Sequence, residues 1–180
     1  MIDSLEQERF VAKDGRVIRV REFGPGDAAL LVDIFKHMSG ESRYQRYNQP
    51  LEKVEPTRMW KEAIQIAYLD RDREYGLIAF ADGEDGMEIP VGAARLVKTG
   101  EGTAEVAISL RDDFQNLGIG TMLMRLLAFD ARDLGYGTLT ASIRNDNPAI
   151  WRVFNSLPFK IERMVEGSFS DIEVDLSRER

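Results

Sequence analysis

Across residues 17–23 apolar and charged side chains alternate, with Val17, Ile18 and Val20 set among Arg19 and Arg21, the two-residue period of a half-buried strand. Gly24-Pro25-Gly26-Asp27 ends it as a turn, with Asp27 placed to cap a helix. The period then lengthens: Leu31, Ile34, Phe35 and Met38 recur at helical spacing, and Gly40 is a fitting stop. A second helical stretch covers 56–68, with Trp60, Ile64 and Ala67 on one face. Strands follow at 75–81 and 89–98, joined by the acidic, glycine-bearing hairpin loop 82–86. Residues 104–110 form another apolar run, and 122–134 an amphipathic helix that Gly135 ends. A short strand is expected at 138–143. Asn147-Pro148 then opens a helix, because Asn caps well and Pro suits the first helical position; its apolar face is Ile150, Val153, Phe154 and Leu157. Strands at 159–164 and 169–176 follow. The order β-α-α-β-β-β-α-β-α-β-β predicts an α/β (α+β) layer fold, a mixed and mostly antiparallel central sheet flanked by helices.

Composition narrows the chemistry. The 180 residues are 43% hydrophobic and 31% charged, which suits one domain with a real core. With no repeat, linker or low-complexity tract, residues 1–180 are read as that single domain. No apolar run reaches membrane-spanning length, and the polar start Met1-Ile2-Asp3-Ser4 is no signal peptide, so the expectation is a cytoplasmic protein without a membrane partner. The absence of Cys excludes disulfides, thiolate metal sites and a cysteine nucleophile. A single His, His37, leaves neither a His-based zinc site nor a serine–histidine triad, so no metal is expected. The net charge of −7 disfavours nucleic acid and favours cationic partners.

The candidate chemistry lies in Gln115-Asn116-Leu117-Gly118-Ile119-Gly120-Thr121, between the apolar run 104–110 and the helix after it. A helix start carries unpaired N–H groups and partial positive charge, and glycines let a phosphate approach them. The residues alone also fit a plain helix-entry turn. The spacing Gln-x-x-Gly-x-Gly after such a strand resembles the acyl-CoA pyrophosphate loop of the GCN5-related N-acetyltransferase (GNAT) superfamily. The segment from Asn147 through Phe154 to Phe159 is similar to another of its motifs, and the order of elements is that of its fold. A narrower resemblance ties Met38-Ser39-Gly40-Glu41-Ser42-Arg43-Tyr44-Gln45-Arg46-Tyr47 and Ala104-Glu105-Val106-Ala107 to the acetyltransferase domains of bacterial protein-lysine acetyltransferases. Two positions depart from the pattern: Phe154 stands where many members carry a Tyr that protonates the leaving thiolate, and Pro158 replaces the usual Gly.

The resemblance implies an N-acetyltransferase that moves an acetyl group from acetyl-CoA to an amine by direct transfer in a ternary complex. The acceptor is a protein lysine or, alternatively, a small amine such as a polyamine, amino acid or antibiotic. A non-catalytic acyl-CoA sensor on the same fold is the competing class. The backbone of Asn116, Leu117, Gly118, Ile119, Gly120 and Thr121 would hold the pyrophosphate, with Gln115 contacting it or shaping the turn. Ile108 and Leu110 would offer main-chain groups to pantetheine, an N–H near Ile108 polarising the thioester carbonyl. Glu105, interrupting an apolar strand, is the candidate general base, with an edge-facing solvated Glu as the plain alternative. Asn147 serves as an N-cap, as a cofactor contact, or as both. The stretch 39–47, with Arg43 and Arg46, either sets acceptor specificity or is a simple helix–helix connection. His37 reads as a solvated or packing residue, and the terminal strands could pair across a homodimer.

Overall fold

The computed structural model describes residues 8–180, so the polar start at Met1–Ser4 lies outside the described residues. Eight strands form one sheet in the order β1-β2-β3-β4-β5-β6-β8-β7. They are β1 (Glu8–Val11), β2 (Val17–Glu22), β3 (Glu74–Asp82), β4 (Glu88–Gly100), β5 (Thr103–Leu110), β6 (Thr138–Arg144), β7 (Phe159–Glu166) and β8 (Phe169–Glu179). Every neighbouring pair is antiparallel except β5 and β6. Five helices accompany it: α1 (Ala28–Lys36), α2 (Gly40–Tyr47), α3 (Pro56–Ala67), α4 (Ile119–Asp133) and α5 (Pro148–Asn155). The mixed, mostly antiparallel sheet flanked by helices is the architecture the periodicity predicts.

Alternation along the strands sends side chains to two cores. Leu77, Ala79 and Ala81 of β3 join Ala104 and Val106 of β5 against Leu123, Leu127 and Ala131 of α4. Ile78 and Phe80 face the other way, onto Phe23, Ile34 and Met38. Phe23 presses so closely on β3 that a Cβ at Gly76 would stand 2.1 Å from its ring, so only glycine fits.

Two elements escape the sequence pattern. β1 carries no clean alternation because it is a short edge strand whose residues are mostly exposed; it pairs with β2, and only Phe10 packs on the main core. α2 corrects the reading of Gly40 as a helix stop and of 39–47 as a connection. α1 already ends at Lys36, where the His37 N–H turns onto Asp33 and Ile34 carbonyls. Ser39 then caps a new helix, its Oγ accepting the Ser42 N–H at 3.1 Å. α2 buries no residue fully, so no apolar stripe announces it. Arg43 anchors it instead, donating to the carbonyls of Phe35 and Leu51. Asp27 caps less directly than expected: its carboxylate accepts the Gly24 N–H and two bonds from Arg21, without capping α1 itself. The acidic hairpin between β3 and β4 is tethered by Arg19, which reaches Asp82 at 2.7 Å and Glu88 at 2.9 Å.

Candidate functional site

The site is built where the sheet comes apart. β5 and β6 pair only from Thr103–Thr138 to Glu105–Thr140. Beyond that, β5 keeps to β4 up to Leu110 while β6 keeps to β8 up to Arg144. A wedge therefore opens between Val106–Leu110 and 141–144, with Glu105 at its apex. Main-chain groups of β5 that face β6 have no strand partner there, because successive peptide groups along a strand point to opposite sides. Gly92 on β4 lets β5 sit close on its other side: a Cβ there would be 2.7 Å from Leu110 Cδ1 and 3.0 Å from the Ser109 carbonyl.

At the wide end of the wedge the chain turns through Asp112–Phe114 into α4. Asn116 and Gly118 both take left-handed φ, +61° and +84°, which rolls the loop so that Gly118 forms the N-cap of α4. Among the described residues the N–H groups of Asn116, Leu117 and Gly118 donate to no carbonyl. Those of Ile119, Gly120 and Thr121 stand in the first helical turn, where an α-helix supplies no partner. Six consecutive N–H groups are thus available at the positive end of a 15-residue helix. Gln115 takes the turn-shaping role: its amide donates to Ser42 Oγ at 3.2 Å and Asp112 Oδ1 at 3.1 Å. Lys13, unmarked by any motif, arrives from the β1–β2 hairpin. Its N–H donates to the Leu117 carbonyl at 3.1 Å, and its side chain lies beside Gly118.

Ile108 and Leu110 turn their side chains to the α4 core and leave their backbone at the wedge. Glu105 faces the opposite side. It is exposed and lines an open trough of about 660 Å³ with Thr140, Ser142, Glu162, Asp171 and Glu173. These side chains come from four strands, and only the pairing of β6, β8 and β7 brings them together, so no local motif could have revealed them. Asn147 caps α5, its side chain accepting the Ile150 N–H at 3.2 Å. Phe154 is 1% exposed in the main core, where it has neither a proton nor a path to solvent.

α2 spans the wedge mouth. Ser42 bonds Gln115 on the β5 side, while Tyr44 accepts from Arg144 at 3.0 Å on the β6 side. Arg46 points inward, its Nε donating to Ser109 Oγ at 3.2 Å. Burial pushes the Arg46 pKa down; Tyr47 and Glu105 favour its charge and Arg95 opposes it. His37 is exposed beside Asp33, and its carbonyl accepts the Asp112 N–H at 3.0 Å.

The acetyltransferase (GNAT) family matches residues 40–159, more than half of the chain. The chain is 28% identical over 148 residues to Acetyltransferase Pat of Mycolicibacterium smegmatis, covering 81% of this chain but only 42% of that protein's length. Among solved structures it is similar to the GNAT domain of S. lividans PAT, with a TM-score of 0.79 and 25% identity over 94% of this chain and 96% of that one. The fold is also that of yncA, a putative acetyltransferase from Salmonella typhimurium solved with its cofactor acetyl-CoA, at a TM-score of 0.62 and 20% identity over 88% and 94% of the two chains.

Proposed function

The chain belongs to the acetyltransferase (GNAT) family, and from that premise we propose that it moves an acetyl group from acetyl-CoA to a protein lysine by direct transfer in a ternary complex. One observation carries the reading: the parting of β5 and β6 at Glu105, with an anion-binding helix start at its wide end and an acidic trough at its apex. The free N–H groups of 116–121 suit a pyrophosphate, and Lys13 adds a cation beside them. The unpartnered β5 backbone suits the amide-bearing pantetheine arm. An N–H near Ile108 polarises the thioester carbonyl and holds the negative charge that develops as the amine adds.

A lysine amine is protonated near neutral pH, with a pKa of about 10.4, and must lose a proton before it attacks. Glu105 accepts that proton, directly or through one water. Carbon–sulfur cleavage expels CoA as a thiolate, a fair leaving group because thiols titrate near about 8.5. Phe154 supplies no acid, so the proton returns from solvent. Glu162, Asp171 and Glu173 line the approach to Glu105 and attract a cationic acceptor. The resemblance of 39–47 and 104–107 to the acetyltransferase domains of bacterial protein-lysine acetyltransferases supports a protein acceptor.

The test is Glu105→Gln. Turnover with acetyl-CoA and a lysine-bearing protein falls at least ~100-fold, while CoA affinity by calorimetric titration stays within a factor of two to three. An unchanged rate removes Glu105 as the base, and a chain that binds acetyl-CoA yet turns over no amine is a sensor.

A further inference from the structure

Beside the wedge, and separate from the trough, a cavity of about 70 Å³ lies beneath α1, α2 and α3. That is room for several water-sized groups. Ala93, Ala107 and Ser109 leave the space on the sheet side, and Leu31, Met38 and Met59 roof it with apolar surface. Into this setting the chain places two guanidiniums. Among the described residues, Arg46 finds one hydrogen-bond acceptor, Ser109 Oγ, and the ring of Tyr47 at 4.7 Å. Among the described residues, Arg95 has one long contact, to Glu74 at 3.9 Å. Glu62, at the rim, is held by Arg58 at 3.0 Å. Both side chains are partly buried, Arg95 with 27% of its side chain exposed, and a cation with few acceptors against apolar surface is retained at a cost unless something negative meets it. The cavity therefore holds an excess of positive charge in an apolar pocket too small for a macromolecule.

We propose that this cavity is a carboxylate subsite, in which Arg46 and Arg95 receive the end of a short dicarboxylic acyl group carried on CoA, so that a succinyl-type thioester is a donor beside acetyl-CoA. Position favours the acyl group over the acceptor as the source of the carboxylate. Arg46 bonds Ser109, next along β5 from Ile108 and its carbonyl-polarising N–H. Glu105, where the amine is deprotonated, lies four residues from Ser109, about 13 Å along the strand, and acts on Arg46 through its charge and not through a hydrogen bond. The transfer balances as for acetyl. The amine nitrogen bonds to the acyl carbonyl carbon, the carbon–sulfur bond breaks with its electron pair going to CoA sulfur, and the amine proton goes to Glu105. The distal carboxylate is unchanged. The inference rests on the acyltransferase reading for its donor, but the cavity is testable without it.

Three measurements test it. Free succinate, but not butyrate, raises the melting temperature of the wild-type chain, and Arg46→Met abolishes the rise. Thiol release with a lysine peptide then gives a kcat/KM for succinyl-CoA at least tenfold above butyryl-CoA, a ratio that falls at least tenfold in Arg46→Met and partly recovers in Arg46→Lys. Because Arg46→Met replaces a charge in an apolar pocket, it melts no lower than wild type, which separates lost recognition from lost folding. No succinate effect and no preference between the two thioesters overturns the proposal. If acetyl-CoA accepts leucine far better than leucinamide, the carboxylate enters on the amine and the acyl assignment is overturned. If succinate binds through Arg46 while every thioester is inert, the cavity stands and the acetyl-transfer reading falls.

Discussion

Gly118 holds φ at +84° at the head of α4, with the Lys13 side chain beside it. An L-residue in that region costs about 1–2 kcal/mol, so Gly118→Ala lowers the melting temperature by roughly 2–8 °C. It also weakens CoA binding, because a methyl group stands where a phosphate would approach the N–H groups; calorimetric titration reads that separately from the melt. Gly120 is a different case. A Cβ there would meet Ile108 and Val153 at ordinary contact distances of 3.6 and 3.7 Å, so the protein alone does not demand glycine. Glu105 shows the limit of reading a single residue: the sequence marks it as a charge inside an apolar strand, but only the register with Thr140 puts it at the apex of the wedge.

At the scale of elements, α5 depends on its cap. Asn147→Ala removes the bond to the Ile150 N–H and costs about 1 kcal/mol, a fall of roughly 2–4 °C, whereas Asn147→Ser retains the cap. Thermal unfolding of the two variants checks this. The strands and helices with strong periods were legible because each buries one regular face: 122–134 reads as a helix and folds as α4, and 104–110 as β5. α2 was not legible as a helix. It is held by Arg43 on carbonyls of Phe35 and Leu51, a tertiary bond that no spacing rule contains. The loop 115–121 could be found because its signal is local, small residues between strand and helix. Lys13, the trough carboxylates and the Arg46–Arg95 pair could not be placed, since strands and helices distant in sequence bring them together.

At the scale of the whole molecule, the sheet is two antiparallel blocks. β1 to β5 form one and β6, β8 and β7 the other, with α4 and α5 packed in a core that draws on both. Among the described residues no helix is long and apolar enough to cross a membrane. The chain spans less than half the length of its mycobacterial relative, so whatever else that protein contains lies outside this fold. The blocks meet along a seam of three residue pairs, Thr103–Thr138, Ala104–Leu139 and Glu105–Thr140. That seam sets how the backbone trades its protons with water. Alternate amides of Val106–Leu110 point into the gap without a strand partner, and in the free protein they exchange deuterium orders of magnitude faster than amides deep in β3 or β4. A ligand laid along the gap accepts from those amides and slows them, while the seam amides keep their rates. The exchange pattern of five residues thus reports occupancy of the wedge, whichever acyl group the ligand carries.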